Sequence, residues 1–316
     1  MIAAFVTYMH AVMDPAPRDF SLLRSAAEAL LRGEDPYAVL PGLTYPLPGL
    51  IPLAPWTLLP DAAASALFTL LGGTAFAWAL MANGYAPLIG FFSPGMLFAA
   101  QVGQLPPLFA GAYALAPLGI FLITKPHVGV ATFFARPSRW PVVSAVVCTA
   151  IAFALRPTWI GDWRASLSLA GAHLGSGPGA FPYTAPIFLP GGILVLSALT
   201  RWRRREARLL VALVCVPQSL LLYEIVPLAL VPRGWRQASF YLVTGHLIWR
   251  YLLAQNPWPV RAEYVTASGT LYTIFLFLPL TVMVLQRPNE GRISEKLERA
   301  IRGWPSWMRG REGASV

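Results

Sequence analysis

Charge is scarce in this chain. Asp, Glu, Lys and Arg make up 12% of its 316 residues, about half the share of an ordinary soluble domain. With 56% hydrophobic residues and a mean hydropathy of +0.56, a water-soluble globule is excluded as the expectation. The two cysteines, Cys148 and Cys215, each sit inside an apolar run, so no disulfide framework is implied. The four histidines, at 10, 127, 173 and 246, have no ligand-like spacing, and HExxH and CxxC are missing. Metal binding therefore has no positive support. Walker and dinucleotide-binding loops are missing too, so no cofactor is implied. Thirty prolines do not signal disorder, because the charged and polar content that keeps chains unfolded is lacking. The expected fold is an all-α, polytopic membrane bundle, with the bilayer as solvent.

Apolar runs bounded by charge or by Pro and Gly suggest spans near 1–13, 62–82, 86–100, 106–123, 140–156, 182–200, 207–220, 221–232, 237–254 and 264–286. The run 209–231 is read as a helix hairpin, because Pro217, Gln218, Ser219 and Glu224 interrupt it. Met1–Met13 lacks the basic n-region and cleavage site of a signal peptide and is short for a span, so the start is either truncated or an incomplete first helix. A single transmembrane domain over 1–286 would carry a basic, amphipathic cytoplasmic tail over 287–316.

The net charge of +10 reads as a topological label and not as a nucleic-acid surface. Seventeen of the 24 Lys and Arg fall in 124–139, 201–208, 233–236 and the tail from 287, while nine of the 14 acids fall at the opposite face. The positive-inside rule then puts both termini in the cytoplasm of a multi-pass plasma-membrane protein. Lys125 lies on the inner side in this arrangement, and Glu224 on the outer.

Two outer loops are long, 14–61 and 157–181. In the first, Phe20, Leu23, Ala27 and Leu30 share one helical face and Gly33 suits the stop, giving an amphipathic interfacial helix. In the tail, Ile293, Leu297, Ile301 and Trp304 form a similar stripe. His246 and Arg250 lie one turn apart on one helix face, most simply for hydrogen bonding between helices.

The stretch Asp19-Phe20, Gly33-Glu34-Asp35-Pro36-Tyr37, Tyr45-Pro46-Leu47-Pro48 and Leu58-Leu59-Pro60, followed by Gly103-Gln104, Lys125-Pro126, Pro217-Gln218-Ser219 and Tyr223-Glu224, resembles bacterial polyprenyl-phosphate-sugar-dependent glycosyltransferases of the C-type superfamily, in particular the α-mannosyltransferase-like family. The sequence departs from the family in its short first span and total length, in Tyr-Pro-Leu-Pro where Tyr-Pro-Pro is usual, and in an offset Glu after the hairpin proline. The resemblance implies transfer of a hexose, mannose being one candidate, from a polyprenyl-phosphate donor to a lipid-linked or envelope glycan on the outer face. It implies Asp19 as general base, with Glu224, Tyr223, Gln104, Arg18, Arg164 and His173 binding substrate; Arg156 is a further outer-face cation. Asp19 is also read as an ordinary helix N-cap, Glu34-Asp35-Pro36 as a turn, and Lys125 as a snorkelling side chain. A solute or lipid transporter and a non-catalytic relative are the competing functions.

Overall fold

The computed structural model describes residues 18–82, 84–173, 184–218, 222–255 and 262–291. These residues are helical almost throughout, and the one β-type pairing among them is an isolated bridge between Thr184 and Gln218. Helix α1 (Arg18–Leu31) ends where Gly33 takes φ +74°, as its sequence signals. Its buried face, Phe20, Leu23 and Ala27, packs on the 3₁₀ helix Ile51–Leu58 and on α2 (Asp61–Met81). The Phe20 and Phe68 rings stack at 4.6 Å. Arg24 ties the same corner together, donating to the Trp56, Thr57 and Leu59 carbonyls and pairing with Glu28 and Asp61.

Among the described residues two helices are long and apolar enough to cross a membrane, α2 and the segment Thr266–Leu285. A third is reached if α6 (Arg139–Leu155) and α7 (Trp159–His173), which meet at 94°, count as one broken span. The expected spans 86–100, 106–123 and 182–200 are broken into shorter pieces. The run 86–100 divides at Ser93, whose hydroxyl caps α3 (Pro94–Val102). The hairpin expected over 209–231 is present: α8 (Arg205–Cys215) stops before Pro217 and a 3₁₀ helix, Leu222–Leu230, follows. Helix α9 (Gly234–Ala254) is continuous, and its His246 Nε2 lies 3.0 Å from the Phe92 carbonyl oxygen, the interhelical contact its spacing suggests. The first span, 1–13, and the tail stripe from Ile293 lie outside the described residues.

The run 106–123 is not one span. Gln104 and Lys125, at its two ends, both lie close to Tyr45. Between them α4 (Pro106–Ala112) descends to Tyr113 and a 3₁₀ helix, Ala116–Ile123, climbs back. Helix α5 (Pro126–Ala135) then descends again and α6 rises beside it. Prolines at the first positions of these pieces start each one without losing a needed N–H. Glycines let the arms touch: a Cβ at Gly129 would land on the Leu122 carbonyl, and one at Gly119 would stand 2.7 Å from the Pro141 ring.

The lower ends of these arms meet the arginines. Arg136 donates to the carbonyls of Tyr113 and Ala114, and Arg208 to those of Phe134 and Ala135. Nearby, the buried Glu206 receives Arg287 at 2.9 Å, Arg233 at 3.1 Å and Arg204 at 3.4 Å. Burial opposes ionisation of Glu206, but the three guanidinium groups hold its carboxyl below the ordinary range. Three segments assigned to one face by charge alone, 201–208, 233–236 and the start of the tail, therefore converge on a single carboxylate.

Candidate functional site

At the other end of the folded-back arms, the turn into α5 carries Lys125 and His127. Lys125 Nζ stands 2.8 Å from Glu224 Oε1, and His127 Nε2 stands 3.1 Å from the same oxygen. Glu224 is fully buried and the Lys125 side chain is 7% exposed. This corrects the expectation that Lys125 and Glu224 lie on opposite faces: they share one, with Lys125 at the tip of the hairpin formed by Ala116–Ile123 and α5. A Cβ on Gly49 would stand 2.8 Å from the Thr124 Cα, so the helix Leu47–Leu50 holds this tip by direct backbone approach.

Tyr45 joins the cationic pair to the expected base. It shares the cavity wall with Lys125, and its phenol lies within electrostatic reach of Lys125, Asp19, Gln104 and Glu224. Gln104 Nε2 in turn donates to Asp19 Oδ2. Burial pushes the Tyr45 phenol above its ordinary pKa, so the hydroxyl keeps its proton at neutral pH. Gln104 Oε1 and Thr124 Oγ1 are buried without a hydrogen-bond partner in the protein. Unpaired acceptors of this kind are costly unless a ligand or water meets them.

A cavity of about 580 Å³ opens beside this line, with Tyr45, Thr124, Lys125, His127, Trp163 and Arg164 in its wall. Its outer wall is α7, which the bend after Arg156 lays across the top. Trp163 Nε1 donates to the Thr44 carbonyl at 2.9 Å and Ser166 Oγ to the Leu43 carbonyl at 3.0 Å. Arg156 locks the bend, bonding Asp35 at 2.7 Å and Asp162 at 2.8 Å. Its guanidinium, then the Thr158 hydroxyl, hold the Asp162 carboxyl below its usual range. Asp35 also caps the helix Pro36–Val39 through the Tyr37 N–H, the turn its sequence suggests.

Of the expected site residues, the structure pairs Asp19 with Gln104, pairs Glu224 with Lys125 and His127, and puts Arg164 in the cavity wall, which Asp19, Gln104 and Glu224 do not line. The side chains of Arg18, His173 and Tyr223 lie outside the described residues. Arg156 is a structural clasp. Lys125, His127, Tyr45 and Trp163 were not among the expected binders; Tyr45 and Lys125 stood inside motifs that signalled them, whereas His127 and Trp163 carried no signal. Among the described residues no three His, Cys, Asp or Glu side chains gather as a metal set would require. The site can do three things at once: accept a proton at Asp19, donate a hydrogen bond from Tyr45, and receive an anion at Lys125, His127, Arg164 and the N-terminus of α5. No protein-family model, curated protein or solved structure matches this chain.

Proposed function

We propose that this chain is a polytopic membrane glycosyltransferase that moves a hexose from a polyprenyl-phosphate donor to a hydroxyl of a lipid-linked or envelope glycan, at the plasma-membrane face bearing the acidic loops. The observation that carries this reading is the cluster of Lys125 and His127 on the buried Glu224, with Lys125, His127, Tyr45 and Arg164 in the wall of one cavity. The Asp19–Gln104 pair lies behind that wall, within electrostatic reach of Tyr45. Membrane residence is supported by outward apolar faces, such as Val142, Val146 and Ile151 on α6 and Val243 and Leu247 on α9.

In the transfer the acceptor hydroxyl oxygen attacks the anomeric carbon as the bond from that carbon to the phosphate oxygen breaks. The hydroxyl proton passes to Asp19 and the electron pair leaves with the phosphate, so the donor's configuration is inverted. Lys125 and Arg164 offset the charge that grows on the departing phosphate. Glu224 holds Lys125 and His127 at the cavity wall and keeps the buried ammonium paired. Gln104 fixes the Asp19 carboxylate.

The test is transfer of radiolabelled mannose from polyprenyl phosphate into lipid-extractable product by membranes expressing the chain. The expected result is transfer that Asp19→Asn abolishes. Full transfer by Asp19→Asn would sink the reading.

A further inference from the structure

The arginines at the basic end divide by what they touch. Several are committed to the protein itself: Arg201 and Arg208 donate to backbone carbonyls, and Arg204, Arg233 and Arg287 surround Glu206. Three others are not. Arg205, in the first turn of α8, and Arg139, the first residue of α6, are exposed. Arg136, in the loop that joins α5 to α6, gives only Nη1 to the Tyr113 and Ala114 carbonyls. Among the described residues no carboxylate stands within ion-pair distance of these three, because the nearby Glu206 is taken by other arginines. Arg136 and Arg205 lie within electrostatic reach of one another where α5 packs on α8. Burial, and then the Arg205 charge, hold the Arg136 guanidinium below its ordinary pKa, as expected of a cation lacking a counter-charge. Arg139 lies over the Trp140 ring, 5.5 Å from its centroid, and Phe134, Trp140, Val142 and Val143 around the loop are exposed.

We infer that Arg136, Arg139 and Arg205 form a headgroup site for an anionic glycerophospholipid of the leaflet that meets the basic end. The inference rests on the membrane residence proposed above and is independent of the transfer reaction. The residue type argues for phosphate, since the planar guanidinium fork bonds two phosphate oxygens at once where an ammonium acts as a point charge. The start of α6 adds to it: Ser138, the N-cap, makes no side-chain cap bond, and helix N-terminal N–H groups favour an anion. The apolar rim argues for a lipid over a soluble anion. A free phosphate leaves Phe134, Val142 and Val143 in contact with water, whereas a glycerophospholipid lays its acyl chains on them while its phosphodiester meets the guanidinium groups. Trp140 stands at the level where tryptophan gathers in a bilayer, between chains and headgroups. Charge selects among lipids: a zwitterionic headgroup brings its own cation to three uncompensated arginines, and an anionic one does not.

The test is thermal stabilisation of the purified full chain in a neutral detergent, titrated with phosphatidylglycerol, phosphatidylcholine or inorganic phosphate. Phosphatidylglycerol is expected to raise the melting temperature saturably and at lower concentration than phosphatidylcholine, with no effect of inorganic phosphate at matched concentration. Arg139→Gln and Arg205→Gln alter exposed side chains and are expected to leave the lipid-free melting temperature unchanged. Each is expected to raise the half-saturating phosphatidylglycerol concentration about five-fold, and the double variant about twenty-five-fold. Arg236→Gln removes an exposed arginine of the same end from α9 and is expected to change that concentration by less than about two-fold. An equal loss in Arg236→Gln would reduce the effect to diffuse charge and overturn the site. So would a double variant that binds like the unaltered chain, phosphatidylcholine binding as tightly as phosphatidylglycerol, inorganic phosphate stabilising equally, or no stabilisation by phosphatidylglycerol at all. None of these outcomes touches the transfer reaction, which the labelled-mannose assay reads separately.

Discussion

Lys125 and Glu224 form an ion pair of 2.8 Å with both side chains almost wholly enclosed. Removing one partner strands the other's charge in a poorly solvated place, which costs about 3–5 kcal/mol, whereas removing both leaves no stranded charge. Lys125→Met and Glu224→Met are therefore each expected to lower stability by roughly that amount, and the double variant by much less than the sum. A double-mutant cycle by chemical unfolding in detergent measures the difference. Additive losses would show that the two groups do not stabilise one another.

Asp19 accepts a hydrogen bond from the Gln104 amide, and its proposed role in transfer is separable from folding. Asp19→Asn preserves shape and loses only the ability to take a proton. Transfer is expected to fall by about 10²-fold or more, with the melting temperature within a few degrees of the unaltered chain. A large drop in melting temperature would instead mark the residue as a structural cap.

At the basic end, Glu206 is the common acceptor for Arg204, Arg233 and Arg287. Glu206→Gln leaves three crowded guanidinium groups without their counter-charge. The expected cost is about 3 kcal/mol or more, with faster proteolysis at the start of the tail. Stability equal to that of the unaltered chain would mean that carbonyl bonds alone hold these arginines.

The bend that lays α7 over the cavity has a defined acid limit. Asp162 is held below its usual carboxyl range by Arg156 and Thr158. A depressed folded pKa contributes stability that is present above the unfolded value, about 3.9, and is lost as pH falls through the lower folded value. Amide protection over 156–171, taken relative to the intrinsic exchange rate at each pH, is therefore expected to be flat from neutral pH to about pH 4 and to fall below it. Asp162→Asn should remove that dependence. Loss of protection beginning near pH 6 would point to histidine and away from this clasp.

Gly129 is the tightest point of the hairpin, with the Leu122 carbonyl where a side chain would stand. Gly129→Ala must separate the arms, at an expected cost of about 1–3 kcal/mol, and should reduce transfer because Lys125 rides on the same turn. Unfolding and transfer assays on the one variant read both effects.

Helix α1 was legible because its apolar residues recur at helical spacing and Gly33 supplies a stop. Helix α2 was legible because an uncharged, mostly apolar run over 62–82 admits few alternatives, and the break at Pro217–Gln218 because polar and proline residues coincide. The folded-back arms were not legible. Their pieces run seven to ten residues, and joined end to end they imitate one long apolar segment. The signal that could have separated them is punctuation: Pro106, Pro117, Pro126 and Pro141 recur about every ten residues. Lys125 was misplaced for a related reason. Its neighbours Arg136 and Arg139 lie at the basic end, and counting charges along the chain assigned all three to one loop. Gln104 and Glu224 were found through motif resemblance, while His127 became visible only through its distance to Glu224.

The hairpin over 116–135 also works as a ruler. Its arms, each about 15 Å long by helical rise, separate the Lys125–Glu224 pair from the arginine-bonded end at Tyr113 and Arg136, so that separation is set by counting residues between Tyr113 and Lys125. Adding or deleting one turn of α5 would shift the ammonium by about 5 Å while leaving every residue of the site unchanged. How far the buried ion pair stands from the basic end is thus written in arm length, independently of which side chains occupy either end.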